Sequence, residues 1–139
     1  MRRRRVLLVL LVAVLTLGGP AVASAASPTV RLLIVHVVRN CHVWSTSAKT
    51  LGPSARLKVP RGGRVMIRAN CPMDFDFRQT QGPRLALGDP RTYAGGVRTL
   101  IFKKAGVYRL IVTNVQTPEE RGLVTLGDAN TLSLTVVVK

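Results

Sequence analysis

Alternation of apolar and polar side chains, with almost no helical period, organises most of the chain beyond residue 28. Thr29 to Val38 is rich in β-branched residues and predicts a long strand, with Leu32, Ile34, His36 and Val38 on one face. Asn40 to Pro53 has no sustained period and is expected to be a loop. A short strand is predicted over Arg56 to Val59, then a tight turn at Pro60-Arg61-Gly62-Gly63. Arg64 to Asn70 follows as a strand, with Val65, Ile67 and Ala69 inward and Arg64, Met66 and Arg68 outward. The last two strands read as a hairpin. Asp74 to Arg78 sets Phe75 and Phe77 against Asp74, Asp76 and Arg78, which predicts a half-buried strand.

Gly82-Pro83 and Gly88-Asp89-Pro90 punctuate the next stretch. Arg98 to Lys103 and Val107 to Thr113 are two strands joined at Lys104-Ala105-Gly106. Thr131 to Val138 closes the chain with Leu132, Leu134, Val136 and Val138 on one face. The sole helical signal is one turn at Pro118-Glu119-Glu120-Arg121, where Pro118 suits a first helical position. About seven short strands with Gly and Pro turns predict an all-β, Greek-key β-sandwich.

The beginning of the chain has a different pattern. Arg2 to Arg5 form a basic cluster, Val6 to Leu17 is uninterrupted apolar sequence, and Gly18-Gly19-Pro20 breaks it before Ala21-Val22-Ala23-Ser24-Ala25-Ala26. That order predicts an export signal over residues 1–26 and a single domain over 27–139. Cleavage after Ala23 or Ala25 would start the mature chain at Ser24 or Ala26. Val6 to Ala26 is nearly long enough to cross a bilayer, but the Gly-Gly-Pro break favours a cleaved signal over an anchor. No transmembrane span is expected after cleavage, and the destination is the cell envelope or the exterior.

Composition narrows the function classes. Of 139 residues, 21 are Lys or Arg and 6 are Asp or Glu; without Arg2 to Arg5, 17 basic residues remain and the formal charge is +11. Such a domain attracts anionic polymers or lipid head groups. The basic residues of the domain are dispersed, Lys103-Lys104 apart, so specific nucleic-acid binding is not expected. Two histidines, His36 and His42, and two cysteines, Cys41 and Cys71, are too few for a zinc finger or a multi-histidine metal cluster.

Three stretches together resemble a cupredoxin, the Greek-key sandwich family of plastocyanin and azurin. Leu57-x-Val59-x-x-Gly62-x-x-Val65-x-Ile67-x-x-Asn70 is similar to that family's opening hairpin. Phe75-Asp76-Phe77 stands where the family has His-x-Phe, and Thr99-x-x-Phe102-x-x-Ala105-Gly106-x-Tyr108 resembles the strand pair before its Cys, His and Met ligand loop. Cys41-His42-Val43-Trp44-Ser45 and Gly127-Asp128-x-Asn130-x-Leu132 also resemble exported cupredoxin-like proteins. The resemblance implies the fold, while the ligand positions depart from it. Phe75 replaces the first histidine; counting on from Tyr108 puts the cysteine position near Val112, the second histidine near Val115 and the methionine near Glu120. A blue-copper site needs two imidazoles and a thiolate, so a conventional electron carrier is not expected.

The resemblance further implies that Cys41, His42 and Trp44 lie at the same pole as Cys71 and Met73. Two readings of that pole stand. One is a Cys41–Cys71 disulfide, which suits an oxidising compartment and closes a loop of about 30 residues. The other is a non-standard soft-metal site in which Cys41, His42, Cys71 and Met73 hold copper as Cu(I), with Trp44 as a shield or cation–π partner. His36 joins such a site only if its strand face points to the pole; the plainer reading is a packed, hydrogen-bonded histidine. Met73 beside Pro72 also suits gap filling. Trp44, with Val43, is expected to plug the sandwich end, the alternative being an exposed aromatic contact for a partner.

No Gly-x-Ser-x-Gly, His-Glu-x-x-His, Walker or dinucleotide motif is present, and Asp74 and Asp76 read as a solvated face balanced by arginines. The expectation is a non-enzymatic binding or structural module of the envelope, with an unidentified protein or envelope partner and no required cofactor. The alternatives are copper handling at the Cys/His/Met pole and a cationic adhesin for anionic envelope polymers.

Overall fold

The structure, a computed structural model, describes residues 26–37, 42–115 and 131–139. The export segment, Val38, Cys41, the Cys41–Cys71 pairing and the Pro118 turn lie outside the described residues. The described strands are β1 (Thr29–His36), β2 (His42–Ser45), β3 (Thr50–Gly52), β4 (Ser54–Val59), β5 (Arg64–Asn70), β6 (Asp74–Gln81), β7 (Arg91–Thr92), β8 (Val97–Ile101), β9 (Gly106–Val115) and β10 (Thr131–Val138). They form two five-stranded sheets, ordered β3-β2-β1-β5-β8 and β4-β10-β9-β6-β7.

Period-two alternation explains why the sheets stack. Leu32 and Ile34 of β1, Val65, Ile67 and Ala69 of β5, and Leu100 of β8 are buried from one side. Phe75 and Phe77 of β6, Tyr108, Leu110 and Val112 of β9, and Leu132, Leu134 and Val136 of β10 are buried from the other. Each fully buried large side chain contributes roughly 1.5–3 kcal/mol of transfer free energy, so one continuous core holds both sheets. Phe102 and Tyr108 meet edge to face with centroids 4.9 Å apart, and the Tyr108 hydroxyl donates to the Lys104 carbonyl at 2.7 Å.

The all-β sandwich expected from the sequence is present, but two expectations within it are corrected. Strands β4 and β5 are not a hairpin: β4 pairs in parallel with β10, and β5 pairs in parallel with β1 and antiparallel with β8. The Pro60–Gly63 turn therefore carries the chain from one sheet to the other. Alternation dictates only that each strand has an apolar face, and an arch between sheets satisfies that as well as a hairpin does. Gly62 takes φ +79, and its amide donates to the Phe102 carbonyl at 2.8 Å, tying this crossing to the β8–β9 crossing.

The second correction concerns 40–53, expected to be a loop. It contains β2 and β3, and all four residues of β2 are buried. Its four residues, His-Val-Trp-Ser, put polar side chains at both ends and apolar ones between, and burial on both faces leaves no alternation for a period-two reading to find. At the opposite edge, residues 82–96 form a strap from β6 to β8. Gly82 lies in the left-handed region at φ +102, where a Cβ would collide with the Val107 carbonyl oxygen.

Candidate functional site

The end of the sandwich where β1 finishes and β2 begins collects the soft and imidazole donors. Antiparallel register places His36 of β1 directly opposite His42 of β2, with ring centroids 5.6 Å apart. His42 is fully buried and His36 is exposed. The His42 ring also meets Phe75, with centroids 5.1 Å apart and planes 86° apart. His42, on one sheet, is thus seated on the aromatic that opens β6 on the other.

Cys71 and Met73 reach this end by register. Val35 pairs with Asn70 in the parallel β1–β5 ladder, so Cys71 follows one residue beyond at the level of His36. Phe75 pairs with Asn114 across β6 and β9, and the Asn114 side-chain amide donates to Met73 Sδ at 3.2 Å. Cys71 and Met73 are half-buried against the core. The Asn114 Oδ1 is buried without a hydrogen-bond partner among the described residues. The structure therefore brings His36, His42, Cys71 and Met73 to one end, with Cys41 outside the described residues. Among the described residues, no three His, Cys, Asp or Glu side chains gather closely enough to hold a metal ion.

The positions that would carry blue-copper ligands do not fit that group. Phe75, in the first histidine's place, is 1 % exposed and presents only a ring; Val112 is buried in the apolar core, and Val115, at the end of β9, has no donor atom. The position near Glu120 lies outside the described residues.

Trp44 lies in the core, not at a surface. Its relative exposure is 0 %, and its indole N–H donates to the Ser133 carbonyl at 2.8 Å, joining β2 to the opposite sheet. Burial removes it as a partner contact and explains its placement, since a buried indole needs an acceptor. This agrees with the plug reading.

Two polar clusters were not foreseen in the sequence. Arg98 of β8 donates from Nε to Thr92 Oγ1 at 2.7 Å, from Nη1 to the Leu87 carbonyl at 2.6 Å, and from Nη2 to the carbonyls of Asp89 and Arg91. Its guanidinium carbon lies 4.8 Å from the Phe77 ring centroid. Burial lowers its pKa from the ordinary guanidinium value, with Asp89 opposing the shift. The available signal was parity: Leu100 points inward, so Arg98, two residues earlier, does too. Gln79 forms the second cluster, its amide nitrogen donating to the Pro83 carbonyl at 2.8 Å and its oxygen accepting from the Leu85 amide at 2.9 Å. Both clusters fasten the 82–96 strap.

Asp74 and Asp76 are structural in their contacts. Asp74 accepts from the Ala94 amide at 2.9 Å, and Asp76 receives Nε and Nη2 of Arg91 at 2.9 and 3.0 Å. The hydrogen bond from Arg91 holds the Asp76 carboxyl below its ordinary pKa; burial opposes the shift and the Arg91 charge adds to it. The expected balancing of this face by an arginine is found at Asp76.

No protein-family model matches the chain, and neither does any curated protein. Among solved structures, it is similar to a reduced Cu(I) form of an amicyanin variant, at 18% identity and TM-score 0.42, over 84% of this chain and 88% of that one. It is also similar to a multicopper oxidase from Campylobacter jejuni, at 15% identity and TM-score 0.46, over 80% of this chain and 25% of the oxidase. A laccase from Pediococcus acidilactici matches at 14% identity and TM-score 0.42, over 80% of this chain and 26% of the laccase.

Proposed function

We propose that this chain is an exported, non-catalytic binding or structural module of the cell envelope, built on a cupredoxin-like sandwich whose copper position is taken up by packing. One observation carries the reading: Phe75 is buried in the first ligand's place and packs edge-on against His42. A metal centre needs converging lone pairs, and a phenyl ring on the first ligand's strand supplies none. The absence of a recognisable catalytic motif and the use of Asp74 and Asp76 in strap contacts support the non-enzymatic part. The basic cluster, apolar run and small-residue site at residues 1–26 support export.

A second reading, copper handling, is favoured by the convergence of His36, His42, Cys71 and Met73 at one end of the sandwich. Thiolate, thioether and imidazole suit Cu(I), and a Cys41–Cys71 disulfide would withdraw both thiolates. One experiment separates the readings: Cu(I) titration of the secreted chain, followed by ultraviolet absorption and by intact mass after alkylation without reduction. The expected result is an N-terminus at Ser24 or Ala26, no intense thiolate–copper band, and no copper retained after desalting. Stoichiometric retention of copper lost on Met73→Leu would overturn the module reading in favour of copper handling.

A further inference from the structure

We propose that the outer face of the β1-β5-β8 part of the first sheet docks on an anionic lipid surface. This deepens the binding-module reading by naming its partner, and it rests on that reading. The observation is the pattern that register creates on this face. Arg31 of β1 pairs with Met66 of β5, which pairs with Thr99 of β8; one row on, Leu33 pairs with Arg68, which pairs with Val97. At the next row in the other direction Thr29, Arg64 and Ile101 align. Guanidiniums and apolar side chains therefore interleave in both directions. All five strands lack Asp and Glu, and among the described residues none of Arg31, Arg64 and Arg68 has a carboxylate within ion-pair distance.

Of the apolar members of the pattern, Leu33 and Met66 are half-buried and the two on β8 are exposed. Val97 is 54% and Ile101 42% accessible, on an edge strand of the sheet. A depression of about 230 Å³ is lined by Arg31 and Arg68 together with Leu32, Leu33, Met66 and Val97. Its two guanidiniums match the planar hydrogen-bonding demand of a phosphate, and its apolar lining matches the glycerol and acyl boundary below it. Charge complementarity alone would suit any polyanion. Exposed valine and isoleucine, with a half-buried methionine, between the arginines favour a lipid surface, because a bilayer boundary takes them out of water.

The outer face of the other sheet is the internal control. It carries Arg56 and Arg109 on either side of Thr135 and, two residues on, Val137 between Lys58 and Val107, so it too mixes basic and apolar side chains; it differs in carrying Asp74 and Asp76 on β6. It is basic without being free of acids.

The test is partition of the mature chain into phosphatidylglycerol-containing vesicles against phosphatidylcholine vesicles at about 0.15 M salt, where weak long-range attraction is screened. Binding to the anionic vesicles alone is expected. Each arginine near such a surface is worth roughly fivefold, so Arg31→Gln with Arg68→Gln lowers partition about 25-fold. Arg56→Gln with Arg109→Gln, the same change in charge, leaves it within about threefold. Val97→Ser with Ile101→Ser weakens it by about fivefold or more. Equal urea midpoints across the variants establish that folding is unchanged.

Equal losses from both arginine pairs would overturn the proposal, leaving net charge as the cause. So would an absence of partition into anionic vesicles. Displacement by soluble polyphosphate together with indifference to Val97→Ser and Ile101→Ser would overturn it in favour of an anionic polymer. Failure to partition in a chain that binds no copper removes only the lipid partner. A copper–thiolate band in a chain that does partition removes the module reading and leaves this surface standing.

Discussion

At the 82–96 strap, four hydrogen bonds from Arg98 and both polar atoms of Gln79 serve the chain's own backbone and Thr92. At the His42 end, the contacts include ring edges, a thioether and an amide whose oxygen is buried without a partner among the described residues. Both regions cover an opening of the same sandwich. The strap spends its polar capacity on itself, so its arginine has little left for a ligand although it lies beside a surface depression of about 370 Å³. The His42 end is joined across the sheets by aromatic packing of His42 on Phe75, and Asn114 Oδ1 there is buried without a hydrogen-bond partner among the described residues. A cluster of polar groups is therefore poor evidence for a site until its internal partners are counted.

The largest expected effect tests the apolar side of this contrast. Phe75→Ala removes the ring on which His42 rests and should cost about 3–5 kcal/mol, towards the lower figure if the end of the sandwich collapses into the space. Urea denaturation with an unchanged slope measures it. A loss below about 1 kcal/mol would mean that this end is not held by packing.

Arg98→Ala tests the polar side. It leaves the Leu87, Asp89 and Arg91 carbonyls and the Thr92 hydroxyl without their donor, with an expected loss of about 2–3 kcal/mol. Arg98→Lys should recover only part, since an ammonium lacks the planar fork that reaches several carbonyls at once. Faster hydrogen exchange confined to 82–96 would place the loss in the strap. Full rescue by lysine would show that charge, not geometry, fastens it.

Much of this was legible in the chain, and what was not has a physical cause. The inward faces of β5, β6 and β10 follow from alternation because each has a dry side and a wet side: Val65 and Ile67, Phe75 and Phe77, Leu132 and Leu134 are all buried as expected. β2 was hidden because it is buried on both faces, and the β4–β5 crossing because alternation does not say which sheet a strand joins. The gathering of His42, Cys71 and Met73 came through family resemblance, since β2, β5 and β6 meet only through the topology. Arg98 was visible only by its parity with Leu100; a charge at an inward position was the cue. Asn114 had no cue, because its role depends on the pairing of β6 with β9.

A smaller effect sharpens the same contrast. Asn114→Leu removes a weak donor to sulfur together with a buried oxygen that has no partner among the described residues. Replacing such a group with an apolar one of similar shape should leave stability unchanged or raise it by up to about 1 kcal/mol. The same substitution logic at Gln79, whose atoms are bonded to the strap, should cost about 1–2 kcal/mol. A destabilised Asn114→Leu and an unaffected Gln79→Leu, by the same urea measurement, would reverse the comparison.

The smallest effect is one of pH, at the point where the strap rejoins β6. Arg91 holds the Asp76 carboxyl below its ordinary pKa in the folded chain, chiefly by its hydrogen bonds and then by its charge. A depressed carboxyl pKa means that the unfolded chain binds the proton more readily, so acid favours unfolding. The contribution is fully present above the unfolded value, about 3.9 for aspartate, and is lost as pH falls from there through the folded value. Both partners are substantially exposed, at 41% for Asp76 and 38% for Arg91, so solvent screens the bridge and its share of stability is small. The difference in melting temperature between the parent and Asp76→Asn should therefore be flat above about pH 5 and shrink below about pH 4. A difference that stays constant or widens on acidification would show that the bridge is not what depresses Asp76, and the strap would then depend on Arg98 and Gln79 alone.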